Sequence, residues 1–322
     1  MLDTRESDSL HTQANDSMRE IIPGKLWKGN TLDARDVTGG VVRLPLSFGV
    51  LLFFMATACV LSADEQVNGS PAKRSELGFL CHRLESPLQS EPTSIRVLLP
   101  DQTERSRRFP VLYVLPVEAG DGNRYGDGLL ECKKHDLHNK HSIIFVAPTF
   151  SDLPWYADRP SDPRIQQEAY FLNVVVPFVE ANYPTIKGQN GRLLVGFSKS
   201  GWGAFSLLLR HPDTFAKAAA WDAPLMKEKP DQFGMGPIFG TQENFEQYQI
   251  SRLLKRQAPK LRDQVRLIHI GYGNFREHHE GFEKLLTELN INHQYKDGPK
   301  RKHDWHSGWL PEAVDMLVRT AK

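Results

Sequence analysis

Directly after the apolar run Arg192–Phe197 the chain reads Ser-Lys-Ser-Gly-Trp-Gly, two serines and a lysine set among glycines. This order predicts a strand that turns sharply into a helix. A serine on such a turn can act as a nucleophile if small residues stand two before and two after it. Around Ser198 those positions are Gly196 and Ser200. Around Ser200 they would be Ser198 and Trp202, and the indole would collide. Ser198 is therefore the better candidate. Ser200 departs from the usual glycine but is still small, and Gly201 and Gly203 let the helix approach closely. The plain alternative is a strand-to-helix turn with a helix-capping serine. The surrounding strand-turn-helix pattern favours the nucleophile.

A serine hydroxyl is inert without a base, and the partners should follow in the order Ser…Asp/Glu…His. Of the 12 histidines, His303 stands on the loop after the last predicted strand, with His306 as the alternative three residues on. For the acid, Asp222 closes the run Ala218–Trp221 on the strand expected beside that of Ser198. Glu277 is the alternative, because the later strand ends at Asn274, which holds no charge. Asp222 could also simply cap the following turn. Either acid would orient His303 and stabilise its imidazolium. An oxyanion hole needs two backbone N–H groups. Lys199 supplies one, and Val117 or Glu118 the other, since Pro116 has none. Trp155, Tyr156 and Trp202 are candidate substrate-facing aromatics; the first two could stack on a sugar or aryl group, or pack against a cap.

Two histidine groupings suggest a metal, Arg276–Glu280 (REHHE) and His303-x-x-His306. Neighbouring histidines point apart on a helix, and no H-E-x-x-H occurs, so neither metal nor cofactor is expected. Ser70–Lys73 matches S-x-x-K without its S-D-N or K-T-G partners and reads as chance.

The elements that must position these residues alternate. Runs at Ser94–Pro100, Phe109–Pro116, Ser142–Pro148, Gly191–Phe197, Phe215–Pro224 and Gln264–Gly273 predict strands, with an edge strand at Asn292–Gly298. Ile165–Pro184, Ser200–Pro212, Glu280–Asn290 and Ser307–Thr320 predict helices. Repeated β-α-β order with near-continuous apolar strands implies an α/β fold, a mostly parallel sheet covered on both faces. Active sites in such sheets lie beyond the C-terminal strand ends. Residues 223–262 are too long for a plain loop and predict a small cap.

The 322 residues are 25% charged and 40% hydrophobic with a net charge of +1, which gives no electrostatic case for nucleic acid. Residues 1–40 read as a disordered extension or a misplaced start, and 64–93 as a linker or edge segment before the domain at 94–322. Residues 41–63 have the basic, apolar and small-residue order of a secretory signal, which predicts a secreted or periplasmic protein. A membrane anchor through Leu44–Leu61 is the alternative, the run being close to the length a spanning helix needs. If Cys59 leaves with the signal or is acylated, Cys81 and Cys132 could pair, or both could stay free thiols. Oligomeric state is not legible.

Together these residues resemble the putative esterase family of the α/β-hydrolase fold, which includes esterase D (S-formylglutathione hydrolase), enterochelin esterases, feruloyl esterases and mycobacterial mycolyltransferases. The resemblance runs from about Ile95 to the C-terminus through Phe109–Pro116, Ile143–Asp158, Val175–Thr185, Gly196–Phe205 and His303–Trp309. It places the nucleophile on Ser198 and the base on His303. It implies a serine esterase acting on a small-molecule or carbohydrate-linked ester through an acyl-enzyme. An acyltransferase with the same machinery, or a non-catalytic binding protein of this fold, are the alternatives. The chain departs from the family at Pro116-Val117 (usually His-Gly), at Arg301-Lys302 (usually glycines) and at Asn274 (usually aspartate).

Overall fold

A computed structural model describes residues 69–101 and 106–319. The extension at 1–40, the leader or anchor at 41–63 with Cys59, and positions 64–68 of the linker lie outside the described residues.

Nine strands make one sheet: β1 (Lys73–Arg74), β2 (Leu80–Leu84), β3 (Thr93–Leu98), β4 (Val111–Val114), β5 (Ile144–Pro148), β6 (Arg192–Phe197), β7 (Lys217–Trp221), β8 (Leu267–Ile270) and β9 (His293–Lys296). Their spatial order is β1-β2-β3-β5-β4-β6-β7-β8-β9. The first three strands run antiparallel, and β5 through β9 are mutually parallel. Every residue of β4, β5 and β8 is buried, as strands covered on both faces require.

The helices are α1 (Gly128–Lys134), α2 (Leu137–His141), α3 (Gln167–Tyr170), α4 (Val176–Asn182), α5 (Ser198–Arg210), α6 (Met235–Phe239), α7 (Gln242–Tyr248), α8 (Ile250–Leu261), α9 (Arg276–Glu288) and α10 (Trp309–Val318). A π-helical turn at Phe171–Val175 joins α3 to α4, so the predicted helix is one run with a wide turn inside. Residues of α3, α4, α5, α8 and α9 fill the core on one face of the sheet, and those of α1, α2 and α10 fill the other.

Two boundaries differ from expectation. The described part of the linker supplies β1 and β2, and Phe79 and Leu84 are buried, so the domain begins before Ser94. Within the predicted cap, α8 packs against α5 and α9 as an ordinary layer helix, which leaves 223–249 as the insertion. Cys81 and Cys132 are both free thiols, half-buried and buried respectively.

The loop after β5 crosses α5 in close contact. A Cβ on Gly203 would stand 2.0 Å from a ring carbon of Tyr156, which is itself 0% exposed. Overpacking of this kind costs about 1–3 kcal/mol, so Gly203→Ala should lower the urea midpoint at unchanged slope. An unaltered midpoint would contradict the contact.

Candidate active site

Three parallel strands, β6, β7 and β8, end side by side, and Ser198 and Asp222 follow the ends of the first two. Ser198 follows β6 at once and takes φ = 52°, the left-handed region that costs a residue with a Cβ. The turn is crowded: a Cβ on Gly196 would lie 2.4 Å from the backbone of Ser200. Ser200 is fully buried, and its hydroxyl accepts the Phe197 N–H at 3.1 Å and donates to the Phe197 carbonyl at 3.0 Å. The hydroxyl that replaces glycine's hydrogen is thereby satisfied within the turn.

Asp222 follows β7 in the same way, with φ = 42° and no exposure. Its Oδ1 accepts the Phe275 N–H at 2.6 Å, and its Oδ2 lies 2.6 Å from His303 Nδ1. The two strained turns are tied together by the Ser198 N–H, which donates to the Asp222 carbonyl at 3.2 Å. Gly273 makes room for the carboxylate, since a Cβ there would stand 2.2 Å from Asp222 Cγ.

His303 sits on the loop between β9 and α10, its side chain 16% exposed. Aromatic rings fix its plane: Phe197 at 5.0 Å, Tyr125 at 5.7 Å and Phe275 at 5.9 Å between centroids. Phe197 precedes Ser198, so the imidazole is packed against the nucleophile turn. With Nδ1 engaged by Asp222, Nε2 is the nitrogen left to serve as a general base.

His306 has another partner. Its Nδ1 lies 2.7 Å from Glu131 Oε2, and its Nε2 accepts the Asp127 N–H at 3.2 Å. It ties the loop after β4 to the His303 loop and makes no contact with Asp222. Glu277 lies exposed in the first turn of α9, and the acid beside the imidazole is Asp222.

Lys199 is in the first turn of α5, where backbone N–H groups have no acceptor within the helix. The helix dipole also favours negative charge there. Across from it, Leu115 donates to the Val195 carbonyl at 3.0 Å, and Tyr156 Oη donates to the Pro116 carbonyl at 2.6 Å. These two bonds fix the backbone that carries Val117 and Glu118. The Lys199 ammonium is held below the usual lysine range by burial, an effect that Glu118 opposes and Arg124 reinforces.

The aromatic residues proposed as substrate walls are placed differently. Trp155, Tyr156 and Trp202 are all 0% exposed. Trp155 and Trp202 meet edge-to-face at 5.5 Å, Trp202 stacks on Phe245 at 6.3 Å, and Trp155 Nε1 donates to the Phe233 carbonyl. They knit the loop after β5 to α5 and to the insertion, and they offer no surface to a ligand. What the sequence did not reveal are Phe275, which acts through its backbone N–H, Gly273, and Tyr156 as the anchor of Pro116. None of the three carried a signal that residue type and spacing would single out; Gly273 is simply the last residue of a predicted strand. The described His and Glu side chains whose donors converge enough for a metal, His269, Glu283 and His293, include none of the catalytic candidates.

Residues 86–316 match the putative esterase family. Two curated relatives, Esterase MT1326 and Esterase Rv1288 from two strains of Mycobacterium tuberculosis, are each 31% identical over 134 residues. That stretch is 40% of this chain and 29% of each relative, so the chain spans under a third of their length. Among solved structures, a ferulic acid esterase superposes with a TM-score of 0.60 at 18% identity, over 74% of this chain and 95% of the other. An S-formylglutathione hydrolase from Staphylococcus aureus gives 0.60 at 17% identity, over 75% and 98%. At these identities the structures establish a shared fold.

A short Asp222–His303 bond should place the Nδ1 proton of His303 far downfield in the proton NMR spectrum. Asp222→Asn and Gly273→Ala should each abolish or shift that resonance, while Glu277→Gln leaves it in place. Loss of the signal in Glu277→Gln alone would reverse the assignment.

Proposed function

The chain belongs to the putative esterase family, and we propose that it is a serine hydrolase of carboxylic esters that works through Ser198, His303 and Asp222. The observation that carries this reading is the 2.6 Å contact between His303 and the buried Asp222, beside a serine held in the left-handed region. In this reading Ser198 Oγ attacks the ester carbonyl as His303 Nε2 takes its proton. The Lys199 N–H, with that of Val117 or Glu118, receives the charge on the carbonyl oxygen. His303 then hands the proton to the leaving alcohol, and water repeats the sequence to release the acid. Asp222 stays ionised throughout, holds the tautomer and stabilises the imidazolium. The ester is small-molecule or carbohydrate-linked, and the leader pattern at 41–63 supports an enzyme that works outside the cytoplasm.

A fluorophosphonate probe and a panel of acetyl, butyryl, feruloyl and thioester substrates test the reading together. Ser198→Ala should lose labelling and lose on the order of 10⁴–10⁶-fold in kcat. Asp222→Asn should fall by roughly 10³–10⁴-fold, chiefly in kcat. Wild-type protein that is folded yet neither labels nor turns over any ester would refute the assignment.

A further inference from the structure

His269 stands on β8, and the parallel register of β9 sets Tyr295 opposite it and His293 opposite Leu267. Helix α9 covers this edge of the sheet. Its His279 and Glu283, four residues apart, share one helix face. Glu283 Oε2 lies 2.7 Å from His293 Nε2 and 3.2 Å from His269 Nε2. His269 Nδ1 lies 3.2 Å from His279 Nδ1, and His279 Nε2 accepts the Ala223 N–H at 2.9 Å. His269 and His279 are 0% exposed, and Tyr295 stacks on His269 at 4.4 Å. None of these side chains faces Ser198, yet the row ends on the residue after Asp222.

The protons in this row are dictated from one end. A backbone N–H can only donate, so His279 Nε2 is bare and its proton is on Nδ1. That proton goes to His269 Nδ1, which leaves His269 with its own proton on Nε2, donated to Glu283. His293 Nδ1 faces the Ile291 carbonyl at 2.7 Å and donates to it, so its Nε2 needs a proton or another cation to meet the carboxylate. Both rings are fully buried, which disfavours their charged forms and agrees with one proton on each. Two imidazole Nε2 atoms and a carboxylate oxygen thus converge within 4.8 Å of one another, with only protons between them.

We propose that His269, Glu283 and His293 form a binding site for a divalent transition ion of the zinc type, and that filling it disturbs the Asp222–Ala223 turn through His279. Two imidazoles and one carboxylate suit zinc, and leave a fourth position for water. The open side is where Glu283 and His293 reach the surface, with side chains 32% and 13% exposed. Ligands about 2.0–2.2 Å from the ion sit further apart than the present contacts, so the half-exposed Glu283 must swing outward slightly.

The ion displaces the Nε2 protons of His269 and His293 to solvent, which leaves His269 with no proton of its own. The His279 Nδ1 proton then crosses to His269 Nδ1, so that the metal-bound ring stays neutral, and solvent returns one proton to His279 Nε2. That Nε2–H opposes the Ala223 N–H, which loses its acceptor. The coupling to hydrolysis rests on Asp222 being the triad acid; the metal site does not. By linkage, whatever steadies that turn weakens the ion in equal measure.

Calorimetric titration of the full chain with zinc chloride, and with cobalt(II) for its visible spectrum, tests the site. One ion per chain is expected, with cobalt bands of a four-coordinate centre and ester hydrolysis falling along the same saturation curve. Changes outside a metal's immediate ligands already cost 10–100-fold in affinity, so Glu283→Gln and His293→Gln should each weaken binding by at least about tenfold. Both variants should resist zinc inhibition to the same extent while their metal-free hydrolysis stays near that of wild type. Ser198→Ala should bind the ion as wild type does, so the titration decides the site even if no ester is turned over. Absence of binding to wild type, or binding to both glutamine variants as tight as to wild type, overturns the site. Binding that leaves hydrolysis unchanged overturns the coupling.

Discussion

The site depends on a buried carboxylate. Asp222 has no exposure, and an ionised acid without partners in such a place costs several kcal/mol. Every group around it answers that requirement. The Phe275 N–H and His303 satisfy its two oxygens, Gly273 clears the space it fills, and the backbone on either side is held by Ser198 and His279. The ends of β6, β7 and β8 are therefore locked to one another by the needs of one charge. The strain at Ser198 and at Asp222 is sustained jointly, because a single backbone bond links the two turns.

The Ser198 turn shows how a departure from the expected glycine is tolerated. Gly196 is indispensable, because the helix backbone stands where its side chain would be. Position 200 has room for a Cβ and a hydroxyl, but that hydroxyl is buried and must be paired. It turns back onto both backbone groups of Phe197. Phe197 in turn packs against His303, Trp305 and Trp309, so the pairing at Ser200 also steadies the wall behind the imidazole.

The strands were legible because each fully buried strand is a short apolar run closed by proline or glycine, and their order left few topologies. That Ser198, Asp222 and His303 lie together was legible for a related reason: each follows the end of a predicted strand, and such sheets bring those ends to one side. The acid could be narrowed to two residues but no further, since the choice depends on which one α9 carries to the outside. The roles of Phe275 and Gly273 were not legible, because one acts by a backbone N–H and the other by lacking a side chain. The π-helical turn before α4 and the strands within the linker left no periodicity to find.

The aromatic residues failed as substrate walls for a physical reason with a consequence. Tryptophan and tyrosine bury large apolar bodies, and a run of them beside a helix rich in glycine is more stable packed inward than facing water. Once Trp155, Tyr156 and Trp202 are withdrawn into the core, the groups left near the nucleophile turn are charged. Burial holds the Lys199 ammonium below the usual lysine range, with Glu118 opposing and Arg124 adding to that effect, and Tyr125 packs against both the Arg124 guanidinium and His303. Beside Ser198 the chain thus presents charges, half-buried Glu118 and exposed Arg124 on the loop after β4 and half-buried Lys199 on the first turn of α5, while the aromatic residues tie the loop after β5 to α5.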